Sequence, residues 1–207
     1  IVKWPVVAQL LIVYTYAALA KVYDDWLDFS FIAYLMEGRK DYYLIGPLLQ
    51  DPTVHKAIGI FGILFDLLVV PLLLYKPTRN WAFAASIVFH LFNSIVFQIG
   101  IFPYLSLAFI VFFYPPEKIR RIFLPSKPPA KTLPFRKPRY ATGLLWLLGT
   151  YLLVQVLLPI RHHFIEGDVL WTEEGHRMSW RMMLRSRTGG MVFRVVDPNS
   201  RTASVID

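Results

Sequence analysis

The chain has 207 residues, of which 56% are hydrophobic and only 17% charged, with a mean hydropathy of +0.46. Apolar runs of membrane-spanning length recur along it, which excludes an ordinary soluble domain and predicts an all-α integral membrane helical bundle. There is no cysteine, so disulfides and thiolate metal sites are excluded. The formal charge of +8 does not point to nucleic acid, because eight of the 22 basic residues fall between Lys118 and Arg139, with Glu117 the one acid nearby. That is the pattern of a cytoplasmic loop touching anionic lipid.

In chain order, residues 1 to 22 form a first apolar segment of roughly the 20 residues a span needs. The chain opens on Ile and lacks the charged start and cleavage site of a signal peptide, so the sequence reads as a fragment of a longer protein. Residues 23 to 52 are mixed, first amphipathic ("WLDFSFIAYLMEG") and then turn-rich, with Trp26, Tyr42 and Tyr43 suited to a membrane interface. Residues 54 to 75 and 80 to 99 make the second and third spans, and "GIFPY" breaks the helix at Gly100 and Pro103. A short fourth segment covers 104 to 114, and the proline-rich, basic stretch 115 to 139 reads as a loop with no apolar face to bury. Residues 140 to 159 are the last span. The bundle therefore covers 1 to 160, about five membrane segments, and 161 to 207 is a short α+β tail, with "MVFRVVDPNSRTASVID" reading as strand, DPNS turn, strand. With the basic loop cytoplasmic, counting crossings back puts Lys76 and Arg79 on that side too. Lys21, Asp24, Asp25 and the tail then lie on the outer face.

Several polar residues are out of place in such a chain. Lys21, at the end of the first span, is either a snorkelling anchor or an amine kept neutral by a poorly solvated site and so able to act as a base; Asp24, one turn on, is a candidate partner. His90 and Asn93 in "VFHLFNSIVF" share a face of the third span, where they either bond to another helix or line a cavity. Asp66, inside the second span, calls for an ion pair or hydrogen bond with another span, or for direct chemistry. The histidines 55, 90, 162 and 163 form no recognised metal-ligand spacing, and no metal is expected. The tail stretch "WTEEGHRMSWRMMLRSRTGG" combines Trp, Met and Arg, as either an interfacial helix or a surface that could hold a carboxylate.

Five blocks carry a resemblance: "AKVYDDW" (20 to 26), "GILFDL" (62 to 67), "FHLFNSIVFQIGIFPY" (89 to 104), "LPIRHHF" (158 to 164), and Trp171 followed by "SWRMMLRSR" (179 to 187). Together, in this order, they resemble the vitamin K-dependent γ-glutamyl carboxylases and their bacterial relatives, the horizontally transferred transmembrane domain (HTTM) proteins. The resemblance implies oxygenation of reduced vitamin K by O₂ to the epoxide. That step is coupled to removal of a γ-proton from a protein glutamate and addition of CO₂. It implies Lys21 as the catalytic base, His90 as a catalytic and quinone-site histidine, and Asn93 in the same motif. Asp66 and His162 are placed with them on the cofactor side. Trp171, Ser179, Trp180, Met182, Met183 and Arg187 match the glutamate-binding region. Met178 stands where the eukaryotic carboxylases carry a tyrosine and Arg181 where they carry an acid, so the sequence looks more like the bacterial branch, in a bacterial inner membrane. The expected partners are membrane lipid, a quinone and a glutamate-containing peptide or protein. The competing expectations are a quinol-dependent enzyme with another substrate, and a non-catalytic quinone- or lipid-binding scaffold. The family reading requires no metal.

Overall fold

The computed structural model describes residues 3–126, 139–181, 193–196 and 203–206. The protein is an all-α membrane bundle. Three helices are long and apolar enough to cross a bilayer, Pro52–Leu74, Arg79–Phe97 and Ala141–Phe164, and two shorter apolar ones, Lys3–Leu19 and Phe102–Phe113, complete five segments. In chain order these are α1 (Lys3–Leu19), α5 (Pro52–Leu74), α6 (Arg79–Phe92) continued by a π-helical turn Asn93–Phe97, α7 (Phe102–Phe109) continued by a 3₁₀ turn Ile110–Phe113, and α9 (Ala141–Leu157) continued by a 3₁₀ segment Leu158–Phe164. Between α1 and α5 the chain makes an excursion of three short helices, α2 (Asp24–Leu27), α3 (Ser30–Glu37) and α4 (Gly46–Leu49).

The bundle is built on α1, which packs along α5 and also touches α9 and the 3₁₀ turn after α7; α6 lies between α5 and α7. Lipid tails are as apolar as leucine, so close packing and polar contacts, rather than escape from water, hold these helices together. Two buried clusters result. One joins Val7 and Tyr14 of α1 to Phe65, Val69, Val70 and Leu73 of α5, with Ile110 and Phe113 beyond them. The other joins Ala20, Trp26, Ile32, Met36, Leu49 and Val96, and so seats the α2–α4 excursion on the ends of α1 and α6. Leu64, Leu67 and Leu68 of α5, and Leu145, Trp146 and Leu147 of α9, are exposed, as lipid-facing side chains should be.

Several sequence expectations change. Trp26 is not an interfacial side chain: it is 6% exposed and its indole donates to the Gly59 carbonyl at 3.3 Å. The helix ends earlier than expected, at Phe97, with Gln98 as its C-cap at φ +55°; Gly100, whose φ of +58° suits a residue without Cβ, turns the connection, and Pro103 sits in the first turn of α7, where its missing N–H costs nothing. The stretch after the fourth segment is not all loop: Pro116–Phe123 forms α8, with Ile119 packed on the first cluster and Lys118 over the Tyr114 ring at 4.6 Å. Proline fits its first turn, and "EKIRRIF" has the spacing of an amphipathic helix, a signal masked by the prolines around it. In the tail, Val169–Thr172 is a single-turn helix (α10) and residues 173–180 form turns, not a continuous helix; residues 182–190, the rest of the stretch for which an interfacial helix is one expectation, lie outside the described residues. Strands β1 (Phe193–Val196) and β2 (Ala203–Ile206) pair antiparallel with Phe193 opposite Ile206; the DPNS segment lies outside the described residues.

Gly46 is the tightest point of the excursion. A Cβ there would stand 2.1 Å from the Lys40 carbonyl oxygen, and backbone cannot swing aside as a side chain can. Gly46→Ala is expected to cost about 3 kcal/mol or more, read as a fall in the thermal midpoint of the purified protein.

Candidate functional site

The two buried clusters leave a cavity of about 320 Å³ between them. Its wall is mainly apolar and aromatic, including Phe61, Phe89, Phe92 and Phe97, with the polar groups Tyr14, Lys21, Asp66, His90, Asn93 and Trp180 set into it. A mostly apolar cleft with a few convergent polar groups is the ordinary form of a small-molecule site.

Lys21 enters from the turn that ends α1. Its side chain is only 14% exposed, and its ammonium is bonded to the Asp66 carboxylate of α5, which is 5% exposed. Nζ also donates to the Ala17 carbonyl at 3.1 Å and lies 5.5 Å from the Trp26 ring centroid. The partner expected from sequence, Asp24, is displaced in this role by Asp66. The α1–α5 contact brings Asp66 within reach, whereas Asp24 starts α2 and turns away with it. Beneath them is Gly62, where a Cβ would stand 3.5 Å from Trp26 and 4.0 Å from Lys21.

His90 is 1% exposed, and its Nε2 lies 2.8 Å from the Tyr14 hydroxyl. Its Nδ1 is buried without a hydrogen-bond partner. Asn93, one turn on, opens the π-helical turn and lines the same cavity. A π turn widens the helix by one residue and frees carbonyl groups, a local distortion common at functional sites. The helix ends at Phe97, and the carbonyls its last turn leaves unpaired are taken up from the excursion: Arg39 donates through Nε to the Val96 carbonyl at 2.7 Å, and the Tyr42 hydroxyl donates to the Ile95 carbonyl at 3.2 Å. Arg39 and Tyr14 were not found by sequence reasoning. Tyr14 had a usable signal, since it lies seven residues before Lys21 and so on the same helix face; Arg39, in a polar turn, had none.

His162 is at the end of the last 3₁₀ segment. Its Nδ1 donates to the Pro159 carbonyl at 2.7 Å, so its Nε2, 3.0 Å from Arg181 Nη2, must accept from the guanidinium. That fixes a neutral imidazole. Burial lowers the Arg181 guanidinium, against the favourable charges of Asp168 and Tyr23, and it pushes the Tyr23 phenol up to about 12. His162 stacks on His163 with ring centroids 3.9 Å apart, outside the cavity wall. His55 donates Nε2–H to the Leu49 carbonyl at 2.7 Å and is structural.

The structure thus brings Lys21, Asp66, His90 and Asn93 together around one cavity, and adds Trp180 from the tail. Of the other tail residues, Ser179 is 3% exposed and its hydroxyl bonds to the Gly175 carbonyl, while Trp171 is exposed on α10. Met182, Met183 and Arg187 lie outside the described residues. Among the described residues no three His, Cys, Asp or Glu side chains gather as a metal site would require.

A helical membrane bundle whose buried Lys–Asp pair and histidine line one apolar cavity, followed by an α+β tail, defines an integral membrane protein with an internal small-molecule site. The family comparisons agree. The HTTM domain matches residues 2–117, and the vitamin K-dependent gamma-carboxylase lumenal domain matches residues 140–207. The first match spans more than half of the chain, which belongs to the γ-carboxylase/HTTM family. No solved structure matches it.

One outcome tests the geometry. Arg39→Met keeps much of the aliphatic stem but leaves the Val96 carbonyl unpaired, which is expected to cost about 1–3 kcal/mol in thermal unfolding.

Proposed function

We propose that this protein oxygenates a membrane quinol, in the manner of reduced vitamin K, and couples that reaction to CO₂ addition at the γ-carbon of a peptide glutamate. The observation that carries this reading is the Lys21–Asp66 pair set in the wall of an apolar cavity with His90 on the same wall. An aqueous metabolite would not require a hydrocarbon-lined cavity inside a membrane bundle, but a lipid-soluble ring does. In balance, quinol and O₂ give epoxide and water, and the glutamate γ-proton is replaced by a carboxyl group with release of H⁺. The quinol supplies the oxidisable ring; the chain supplies a base, orientation and exclusion of water.

An amine is a base only while neutral, and Lys21 lies against a carboxylate that can take its proton. Ammonium with carboxylate and amine with carboxylic acid differ only by a proton moved along the hydrogen bond that joins the two side chains. Lys21 and Asp66 therefore act as one unit: Asp66 holds the proton while Lys21 accepts that of the quinol hydroxyl. His90, braced by Tyr14, and Asn93 orient the ring. The positive-inside rule supports a cytoplasmic α8 and basic loop, with the Lys21 end of the bundle and the tail outside, where a peptide could approach. The match of 140–207 to a domain described as lumenal supports the same orientation. A bacterial inner membrane is the proposed location.

The test uses the purified full chain with reduced vitamin K and O₂. Epoxide should form; Lys21→Ala and Asp66→Asn should each lower its rate by about a hundredfold or more while quinone still binds. An unchanged rate in Lys21→Ala would refute the role given to the amine. Labelled CO₂ with a glutamyl peptide then reads the second half: label fixed supports carboxylation, and epoxide without label means another acceptor. Bound quinone with no turnover identifies a scaffold.

A further inference from the structure

The tail residue Trp180 lines the same cavity as Lys21 and His90, although it is more than 80 residues from either. Its indole N–H is buried without a hydrogen-bond partner, and so is Nδ1 of His90. Buried polar groups in native proteins are nearly always paired, so two orphaned ring nitrogens on one cavity mark where a ligand or water completes the set. An indole N–H can only donate. The cavity that both groups line also carries Phe61, Phe89, Phe92 and Phe97, whose rings suit the faces of a flat ligand.

The backbone around Trp180 is held in a costly shape. Met178 and Trp180 have φ values of +59° and +58°, and neither is glycine. Each such residue costs about 1–2 kcal/mol, and conformations of this kind persist where the surroundings enforce them, often at ligand sites. Between the two, buried Ser179 pins the turn through its N–H to the His176 carbonyl at 3.1 Å and its hydroxyl to the Gly175 carbonyl. Arg181, next in the chain, is tied to His162. The turn is thus fixed on both sides of the indole.

We propose that Trp180 closes the cavity from the tail and donates its N–H to one oxygen of a flat ring whose opposite oxygen meets Nδ1 of His90. The proposal assigns the His90 proton to Nδ1, with the Tyr14 hydroxyl donating to Nε2 across their 2.8 Å bond, so that Nδ1 of His90 and the Trp180 indole are both donors. The ligand class is a ring bearing oxygen at both ends, as in a 1,4-quinone or its quinol. A ring with one oxygen leaves one donor unpaired. This rests on the quinol reading above and adds to it that the tail is part of the ring site, so ring binding orders the turn beside the approach of any second substrate.

The test measures binding of 2-methyl-1,4-naphthoquinone and of 1-tetralone, which has a single carbonyl, to the full chain in lipid nanodiscs. Trp180→Phe should weaken naphthoquinone binding about five- to tenfold and leave 1-tetralone nearly unchanged, and Trp180→His, which keeps a ring N–H, should recover part of the loss. Unaltered naphthoquinone binding in Trp180→Phe, or equal weakening of both ligands, overturns the proposal while the quinol reading stands. A wild-type chain that binds no naphthoquinone overturns both. Should the variants fail to fold, infrared spectra of carbonyl-labelled naphthoquinone on the wild-type protein decide: both carbonyl stretches should be lowered, and one left at its free frequency refutes the second donor.

Discussion

The ion pair between Lys21 and Asp66 is the constraint on which the rest of the bundle depends. A lone charge within a membrane segment costs several kcal/mol, so neither residue is tolerable there without the other. Their contact fixes α1 against α5 at one height and rotation, and the neighbouring contacts follow from it. Tyr14 is carried to His90, Trp26 is folded over the amine, and Gly59 and Gly62 are presented to the incoming excursion. Removing one partner leaves an uncompensated charge and not merely a missing bond.

A second constraint acts through backbone. The π turn at Asn93–Phe97 carries Asn93 on the cavity wall and ends the span, and the α2–α4 excursion caps its last carbonyls through Arg39 and Tyr42. The excursion is therefore a brace for α6 as well as a cover for the cavity. Its own shape depends on Gly46 and on Trp26, Ile32 and Met36, which are buried against the ends of the spans. A polar turn far from His90 in sequence thus braces the end of the helix that carries His90 and Asn93.

The tail extends the same logic. His162 and Arg181 lock one another through a tautomer set by the Pro159 carbonyl, and Trp180 reaches from that lock into the cavity. Membrane and tail parts, matched by two different family descriptions, meet at a single site. For the proposed reaction this matters because a ring that arrives through lipid and a peptide that arrives through water must meet while bulk water is kept away.

How much was legible follows from the range of each signal. Membrane character, five apolar segments, the strand pair and the family are local or compositional, and the sequence by itself determined them. Hydropathy, periodicity and motif order do not depend on what packs against what. Lys21, Asp66, His90 and Asn93 could also be singled out, because polar residues in apolar runs are conspicuous. Which of them pair could not. Asp24 lies one turn from Lys21 and looked adequate, while Asp66 lies 45 positions away and is brought in only by helix packing. The burial of Trp26, the use of Arg39 on freed carbonyls and the entry of Trp180 into the cavity were likewise decided by tertiary structure. Each depends on the rotation of one element against another, a property that no short window of sequence contains.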